Sequence, residues 1–437
     1  MDYWKGFLIS DKSIGMRKYD EYKDSGINWI GRIPKHWKIN QLRNYIRITS
    51  KKGFPEEQLL SVVREQGVIV RDVDSQDENH NFIPDDLNGY KLVTEGQFVI
   101  NKMKSWQGSY GVSSIRGIVS PAYYVYDLQF QEKQFFNIAI RSKMYVPFFT
   151  QYSKGIRVGQ WDLSPIGLKS IPFIEPPVSE RRNIVAFLSA KSSEIDNLIS
   201  KTEREIELLK ELKQSVIAHA VTKGLNLNAK MKDSGIGWIG EIPEHWCFLR
   251  NKNIFSGHYE EVGDRTDIPL LSLTTEGVIY RDTSTGKGKF PKDFEKYNVV
   301  YPDCIIFCLF DIDETPRTVG LCHNYGMITN AYDAFRINQN VLSRYITYFY
   351  LAVDNVKGLR PWYTGLRKVV QYNRFLQLKV PVPPLSEQQE IVEYIDYKTT
   401  QIDKMIVELT YKVEYLKQYK QRLIADVVTG KINVQPE

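Results

Sequence analysis

Apolar residues recur at every seventh position in two long stretches of the chain. In the second stretch these positions are Ile395, Ile402, Leu409, Leu416 and Leu423. In the first stretch they are Leu188, Ile195, Leu209 and Val216, with Thr202 filling the remaining position. Neither stretch contains proline or glycine until Gly224 and Gly430 end them. The spacing predicts two long amphipathic helices, each with one continuous apolar seam.

A proline pair precedes each of these stretches, Pro176-Pro177 and Pro383-Pro384. Because proline cannot continue a helix backwards, the helices are expected to begin sharply after it. Ser179 and Ser386 are the predicted N-caps, and each is followed by a glutamate in the first turn, where the helix dipole favours negative charge.

Each predicted helix is about forty residues, or roughly 60 Å, which exceeds what one small domain covers. Two independent helices, each packed on its own domain, are the alternative to a pair. Two equal helices with a 3.5-residue period favour an antiparallel coiled coil and an internal pseudo-twofold axis. The other half of the seam is predicted at Leu198, Leu212, Met405 and Tyr419.

The whole chain is a tandem duplication. Residues 24–37 return as residues 233–246 with eleven of fourteen positions identical, and we call this repeated segment the tryptophan motif. The register then holds along the chain, for example between Gly155-x-Arg157 and Gly365-x-Arg367. The repeated unit is a little over 200 residues long.

Between the helices the pattern changes to short β-rich runs, such as Gln97–Ile100 and Cys304–Phe307, separated by Gly, Pro and Asn turns. The fold class predicted is mixed α/β (α+β): two tandem compact domains that alternate with the two helices. The boundaries predicted are 1–19 for an N-terminal extension, 20–178 for the first domain, 179–223 for the central helix, 224–385 for the second domain, and 386–437 for the C-terminal helix and tail.

Composition and charge say less about this protein than the repeats and the helix periodicity do. The net charge of +6 favours a polyanionic partner without proving one. All four cysteines lie in the second half, which makes a disulfide framework unexpected. No apolar run approaches the ~20 residues of a membrane span, and the residues from Met1 to Lys12 do not read as a secretory signal. A cytoplasmic location is the expectation.

Cys304, Cys308, Cys322 and His323 have a spacing that zinc could use. However, residues 304–309 read as a buried strand, in which a free cysteine behaves as a small hydrophobic residue. The strand interpretation is favoured, and no metal site is predicted.

Motifs for catalysis are missing from the sequence: it has no phosphate loop, no dinucleotide fingerprint, no nucleophile elbow and no H-E-x-x-H helix. Glu175-Pro176-Pro177-Val178 invites comparison with the Asp/Asn-Pro-Pro-aromatic loop of amino-methyltransferases. It differs at both flanks, because Glu is a poor substitute for the amide and Val cannot stack on a flipped base.

His36 and His245 repeat within a Pro-x-His-Trp sequence that has no triad-like partner nearby. The interpretation favoured is structural, with Trp29 and Trp37, and likewise Trp238 and Trp246, packed into a clamp at the start of each domain.

The tryptophan motif and the P-P-[VL]-S-E-x-x-x-I-V helix start, each present twice at matching offsets, resemble the specificity subunit of type I restriction–modification systems. The resemblance covers nearly the whole chain. It departs slightly at Arg181-Arg182, where the second helix has Gln388-Gln389, the commoner form.

This resemblance implies two target-recognition domains that each read half of an interrupted site in double-stranded DNA. The helices would form a coiled coil that sets the gap and docks two methylation (M) subunits. Those subunits use S-adenosylmethionine to methylate adenine, and restriction (R) subunits use ATP and Mg²⁺. The chain itself would bind no cofactor and carry no catalytic residue.

The candidate DNA contacts fall in two kinds of segment. A loop after a strand in the first domain offers Asn101, Lys102, Lys104, Trp106 and Gln107. The corresponding stretch of the second domain, residues 310–317, is acidic and contains Arg317. Lys154, Arg157, Arg367 and Lys368 lie at glycine turns and are expected to contact the DNA backbone. The alternative for all of them is a solvated surface.

Two other functions stay open at this point. One is a methyltransferase or nuclease fused to its own DNA reader. The other is a coiled-coil scaffold that binds no DNA.

Overall fold

The computed structural model describes residues 17–72, 83–157, 160–281, 294–338 and 340–436, with only the backbone of residues 156, 157 and 160. Most of the predicted N-terminal extension therefore lies outside the described residues. The chain divides into two compact units: unit 1 is Met1–Thr202 with Lys412–Glu437, and unit 2 is Glu203–Tyr411. Each unit contains one domain and part of both long helices.

The strands of unit 1 are short. They are β1 (Tyr22–Asp24), β2 (Arg32–Pro34), β3 (Lys38–Gln41), β4 (Ile46–Thr49), β5 (Leu60–Val63), β6 (Gly67–Val70), β7 (Lys91–Val93), β8 (Phe98–Asn101), β9 (Tyr110–Val112), β10 (Gly117–Val119), β11 (Tyr123–Leu128), β12 (Ser153–Arg157), β13 (Gln160–Leu163) and β14 (Pro172–Glu175). The helices of its domain are α1 (Lys133–Arg141), α2 (Val146–Gln151) and α3 (Pro165–Ser170).

The centre of unit 1 is a four-stranded antiparallel sheet in the order β4-β11-β8-β9. One side is covered by an aromatic core in which the ring of Phe136, from α1, lies 5.3 Å from Phe98 and 4.7 Å from Phe173. All three side chains are fully buried. Aromatic burial of this kind contributes several kilocalories per mole.

Unit 2 repeats the arrangement. Its strands are β15 (Met231–Asp233), β16 (Glu241–Pro243), β17 (Cys247–Arg250), β18 (Phe255–Gly257), β19 (Leu271–Thr274), β20 (Gly277–Tyr280), β21 (Asn298–Val300), β22 (Ile305–Phe307), β23 (Val319–Leu321), β24 (Gly326–Ile328), β25 (Asp333–Ile337) and β26 (Lys379–Val382). Its domain helices are α5 (Asn251–Ile254), α6 (Ser343–Asn355) and α7 (Tyr372–Gln377).

The central sheet of unit 2 runs in the order β18-β25-β22-β23, which matches the order in unit 1 strand for strand. The core is again aromatic, with the Phe307 ring 4.8 Å from Phe375 and 5.8 Å from Phe335. The duplication seen in the sequence is thus a duplication of topology and of core chemistry.

The two long helices span Val178–Lys223 and Leu385–Val428, 46 and 44 residues, and we number the first α4 and the second α8. Gly224 and Gly430 follow them with φ of +70° and +71°, the left-handed conformation that ends a helix at little cost in glycine.

The predicted N-caps are wrong by two positions. The amide of Arg181 donates to the carbonyl of Pro177, and that of Gln388 to Pro384, so each helix begins directly after its proline pair. Ser179 consequently lies inside the first turn. Proline supplies no backbone N–H, but its carbonyl can accept the first helical hydrogen bond, and that suffices to start the helix.

The buried stripe of the helices follows the seven-residue series. Leu188, Ile195, Ile395, Ile402 and Leu423 are buried, and Leu209, Val216, Leu409 and Leu416 are half-buried. The second row of the stripe lies four residues after the first and includes Ile199, Thr399, Val413 and Val427.

The predicted second row was wrong. Leu198, Leu212 and Met405 are 40%, 49% and 42% exposed, and Tyr419 is only half-buried. Residues three and four positions along a helix lie on opposite flanks of the same stripe. Periodicity locates the stripe, but the position of the covering helix decides which flank is buried.

Within each unit the helices run in opposite directions. In unit 1, Asn183 bonds to Gln435 at 2.7 Å, and Asp196, further along α4, pairs with Lys420, which lies earlier in the chain. In unit 2, Lys213 of α4 pairs with Asp403 of α8 at 2.7 Å. The predicted fold class is confirmed: mixed α/β domains in two copies alternate with two long antiparallel helices.

The tryptophan motif of the first domain is tied to the start of α4. The Trp37 indole donates to Glu180 Oε2 at 3.0 Å, Tyr19 donates to the same oxygen at 2.8 Å, and His36 Nε2 lies 2.5 Å from Glu180 Oε1. Trp37 is fully buried, whereas Trp29 is 44% exposed with its ring 4.7 Å from Phe148.

The second copy repeats these contacts. Trp246 donates to Glu387 Oε1 at 3.1 Å, and His245 Nε2 lies 2.7 Å from Glu387 Oε2. Trp246 is buried, while Trp238 is half-buried against Phe349. In each domain the first-turn glutamate therefore joins the domain to its helix, and only the second tryptophan of each motif is a core residue.

Arg181 and Gln388, the position at which the two helix starts differ, are both buried. Arg181 bonds to Glu175 at 2.6 Å and to the Pro176 carbonyl, and its guanidinium lies 4.4 Å from the centre of the Phe130 ring. Gln388 bonds instead to backbone groups, among them the Leu342 amide at 2.8 Å. Two different side chains therefore form hydrogen bonds with the buried backbone groups at the two helix starts.

Three donors hold the carboxylate of Glu175. Its carboxylate accepts from Tyr45 at 2.5 Å and Asn40 at 2.6 Å, in addition to Arg181. Burial alone would raise the pKa of Glu175, but these three donors outweigh it and hold the pKa below its usual range.

The cysteines at positions 304, 308 and 322 are free and buried around strand β22. Burial raises the pKa of the Cys308 and Cys322 thiols, which keeps them protonated. The described residues contain no group of three potential metal ligands. In the same part of the chain, no helix has both the length and the apolar character to cross a bilayer.

Candidate nucleic-acid interface

In unit 1 the loop after β8 contacts the hairpin of β12 and β13, which contains Gly155. The loop follows β8 and turns through a short 3₁₀ helix, Ser105–Gln107, that Gly108 ends with φ of +101°. The Leu163 amide of β13 donates to the Lys102 carbonyl at 3.2 Å, and Thr150 of α2 donates to the Trp106 carbonyl. Two segments that are about fifty residues apart in the sequence therefore form one surface.

The polar candidate residues on this surface differ in their exposure and in whether their side chains already have partners. Asn101 is buried, and its amide bonds to the Met103 N–H and the Tyr123 hydroxyl, both at 3.2 Å, so it shapes the turn. Lys102 pairs with Asp162 at 3.2 Å. Lys104, Gln107 and Lys154 are exposed to solvent. The side chain of Arg157 lies outside the described residues.

Two tryptophans support the loop. The ring of Trp106 lies 4.9 Å from that of Trp161 in β13, at an angle of 37°. Among the described residues, the Trp106 indole nitrogen is buried without a hydrogen-bond partner. Burying an N–H in that way costs about 1–3 kcal/mol.

In unit 2 the equivalent loop and turn are joined by backbone hydrogen bonds. The Asp311 amide donates to the Arg367 carbonyl at 2.8 Å, and the Val370 amide donates to Leu309 at 2.9 Å. Thr364 and Val369 exchange two backbone hydrogen bonds that close the turn between them. The acidic loop and the basic turn are thus neighbours.

Opposite charges meet at this contact. Arg367 pairs with Asp311 at 2.7 Å, and Lys368 lies 3.3 Å from Asp313. Arg360 also reaches Asp313, at 3.0 Å. The Arg360 hydrogen bond, ahead of those from Lys368 and Tyr363, holds the pKa of Asp313 below its ordinary value. The two basic residues expected to contact the DNA backbone therefore carry neutralising partners here.

Arg317 points inward. It lies 3.6 Å from the carboxylate of Asp354, whose side chain is 2% exposed. Asp354 also accepts from the Thr318 amide at 3.0 Å and from Lys357 at 2.9 Å. Arg317 thus helps to neutralise a buried charge beneath the loop.

Comparisons with known proteins agree on one family. Residues 323–412 match the family model described as "Type I restriction modification DNA specificity domain". Over 93% of its length the chain is 23% identical to the Methanocaldococcus jannaschii protein assigned as the specificity subunit of the type I restriction enzyme MjaX, of which the match covers 96%. A second relative from that organism, the MjaVIII specificity subunit, is 23% identical over 67% of this chain and 69% of its own.

The fold is also similar to that of solved structures. A chain solved in work on complex assembly and conformational transition of the type I R-M system aligns with a TM-score of 0.64 and 14% identity, over 92% of this chain and 99% of that one. The HsdS subunit of Thermoanaerobacter tengcongensis aligns with a TM-score of 0.51, also at 14% identity, over 92% and 98%.

The chain is thus similar to type I restriction–modification specificity subunits over almost its whole length, and residues 323–412 match the DNA specificity domain of that family. The resemblance carried by the tryptophan motif and the helix starts is thereby confirmed.

The side chains that hold the candidate residues in place could not be identified from the sequence. Trp161, Phe310, Asp311 and Asp313 were not singled out, although each contacts a residue that was. A signal did exist in unit 2, because an acidic loop and a basic turn in one domain are complementary in charge. Only the fold shows that the two segments meet.

Proposed function

We propose that this chain is the DNA sequence-specificity subunit of a type I restriction–modification complex, and that each unit reads one half of a bipartite site. The reading surface of each unit is the loop after its third sheet strand (β8 or β22) together with the neighbouring glycine turn. Two unrelated half-sequences require two DNA-binding surfaces on one chain, and we call these surfaces the reading heads.

One observation carries this proposal: the same scaffold presents different chemistry in the two units. The sheets have identical strand order. Yet the surface of unit 1 offers Lys104, Gln107 and Lys154, whereas that of unit 2 offers Asp311 and Arg367. A duplicated scaffold kept for stability alone would not need these corresponding loops to differ in charge.

The long helices would hold the reading heads at a fixed spacing, which a flexible linker cannot do. They would also dock two methylation subunits, with restriction subunits completing the complex in the cytoplasm. S-adenosylmethionine, ATP and Mg²⁺ would be bound by those partner subunits. The engagement of Glu175 by three donors supports this division, because it leaves the Pro-Pro segment without a free carboxylate.

A domain exchange tests the reading heads. Residues 20–178 are replaced by the matching domain of a relative with a different target, and methylated adenines are mapped in cells that express the complex. One half-site should change while the other and the gap stay the same. A change in both halves contradicts the modular proposal, and the reverse exchange of residues 224–385 is the matched control.

A second test addresses the two other functions. The purified chain should transfer no methyl group from S-adenosylmethionine and cut no DNA with Mg²⁺, and it should gain methylation only when a methylation subunit is added. Activity of the chain alone would indicate a fused enzyme. Failure to shift DNA at about 0.1 M salt with that subunit present would indicate a scaffold.

A further inference from the structure

The turn between Thr364 and Val369 projects two side chains from unit 2. Gly365 adopts φ of +71°, which lets the chain reverse within four residues. Leu366 at the tip is fully exposed, and the Arg367 side chain is 68% exposed. An aliphatic residue and an arginine are thus presented to solvent at the tip of this turn.

Arg367 is nevertheless held in place. Its Nε and Nη2 donate to the same oxygen of Asp311 at 3.2 and 2.7 Å, while the two residues are also joined through their backbones. The guanidinium carbon lies 5.0 Å from the centre of the Phe310 ring. A carboxylate on one edge and an aromatic face below restrict a side chain that is otherwise flexible.

The backbone at this contact is unusual as well. Asp311 and Lys368 have φ of +46° and +48°, a conformation that residues other than glycine adopt infrequently. Strain of this kind persists where the surroundings impose it, and it collects at functional sites.

The hydrogen-bond inventory of Arg367 shows what remains for a ligand. A guanidinium has five N–H groups, and Asp311 uses one on Nε and one on Nη2. The other three form the terminal fork of Nη1 and Nη2, which matches two adjacent acceptors such as guanine O6 and N7.

Charge decides between a base and a phosphate. Phosphate binding depends on net positive charge, and Asp311 cancels that of Arg367 and would repel a phosphate oxygen brought close to the pair. Base edges are neutral, so the paired arginine keeps its donors without that penalty. This base contact differs from the contact with the DNA backbone that was expected of Arg367 from the sequence.

We propose that Arg367 is a specificity-determining residue of unit 2 that reads one guanine through its terminal fork, with Asp311 and Phe310 as positioning residues. The inference rests on the proposed function, because it assumes that unit 2 meets the major groove of DNA.

The test uses the full-length chain co-purified with the methylation subunits of its own host, and selects bound sequences from a random duplex library. The wild type should select a bipartite site with an invariant guanine in one half. Arg367→Lys keeps the charge but lacks the fork, so preference at that one position should fall roughly 5- to 150-fold, the equivalent of about 1–3 kcal/mol. All other positions should be unchanged.

Asp311→Asn tests positioning, because asparagine tolerates the left-handed backbone but removes the charge that holds the guanidinium. Preference should relax at the same guanine only, and Asp311→Glu should restore part of it. Lys252→Gln, which removes an exposed lysine of α5 outside the reading surface, is the matched control and should leave base preference intact. Circular dichroism checks that each variant folds.

The outcomes separate the two proposals. If Arg367→Lys weakens binding to all sequences and leaves base preference unchanged, Arg367 is a phosphate contact. That outcome overturns the guanine inference and leaves the proposed function standing. The guanine inference is also overturned if the site selected by the wild type contains no guanine at which Arg367→Lys changes the preference. A wild-type complex that selects no sequence at all would overturn the proposed function itself.

Discussion

The indole nitrogen of Trp37 donates a 3.0 Å hydrogen bond to the carboxylate of Glu180, a residue 143 positions away in the first turn of α4. The tryptophan is fully buried, so the carboxylate is the partner that keeps its N–H satisfied. The same contact recurs between Trp246 and Glu387. A buried hydrogen bond thus couples the start of each domain to the start of a long helix.

We expect Glu180→Ala to destabilise unit 1 by about 1–3 kcal/mol, because it leaves a buried indole N–H without a partner. Glu180→Gln, which retains an acceptor, should cost less. The measurement is the midpoint of denaturant unfolding of the full chain. Glu205→Ala, an exposed position in the same helix, is the control, and an equal effect of both alanine variants would refute this role of Glu180.

The buried stripe of the helices predicts a contrast between neighbouring apolar residues. Ile195 is 7% exposed and Ile402 is 4% exposed, so truncating either to alanine should cost about 2–5 kcal/mol. Leu212→Ala, at a position that is 49% exposed, should change stability by less than about 0.5 kcal/mol. Thermal unfolding of the three variants checks the order. A loss at Leu212 as large as at Ile195 would place the stripe on the other flank.

The ion pair between buried Arg181 and half-buried Glu175 predicts non-additive mutations. Removing one partner of a fully buried ion pair costs about 3–5 kcal/mol, because the other charge is left unpaired. Glu175 keeps some contact with solvent, so a smaller loss is expected here. Glu175→Val and Arg181→Gln install what the second domain carries at those positions, Val382 and Gln388. The double variant should therefore be more stable than the sum of the single effects predicts. A strictly additive double-mutant cycle would show that the pair is not coupled.

The low pKa of Glu175 predicts an acid-dependent contribution to stability. A carboxylate whose pKa is depressed by folding stabilises the protein above its unfolded value of about 4.3, and the contribution is lost as pH falls through the lower folded value. The stability difference between wild type and Glu175→Gln should therefore be largest near neutral pH and shrink below about pH 4. Urea midpoints measured from pH 7 to pH 3 report it. A difference that stays constant with pH would mean that Glu175 does not titrate in this range.

Much of the architecture follows from the sequence alone. The seven-residue series, the proline pairs and the glycines at 224 and 430 determine where the long helices lie, because each feature acts through local backbone geometry. The repeat of residues 24–37 at 233–246 determines that the domains are duplicates, since one sequence pattern folds to one topology.

The tertiary structure decided what local patterns cannot encode. It chose Ile199 over Leu198 for the buried stripe, because the covering helix selects one flank. It buried Asn101 and turned Arg317 inward, since loops adopt the conformation that satisfies the buried groups beneath them. It also brought Arg367 to Asp311, 56 residues apart, because contacts between distant segments depend on how the sheet and helices pack.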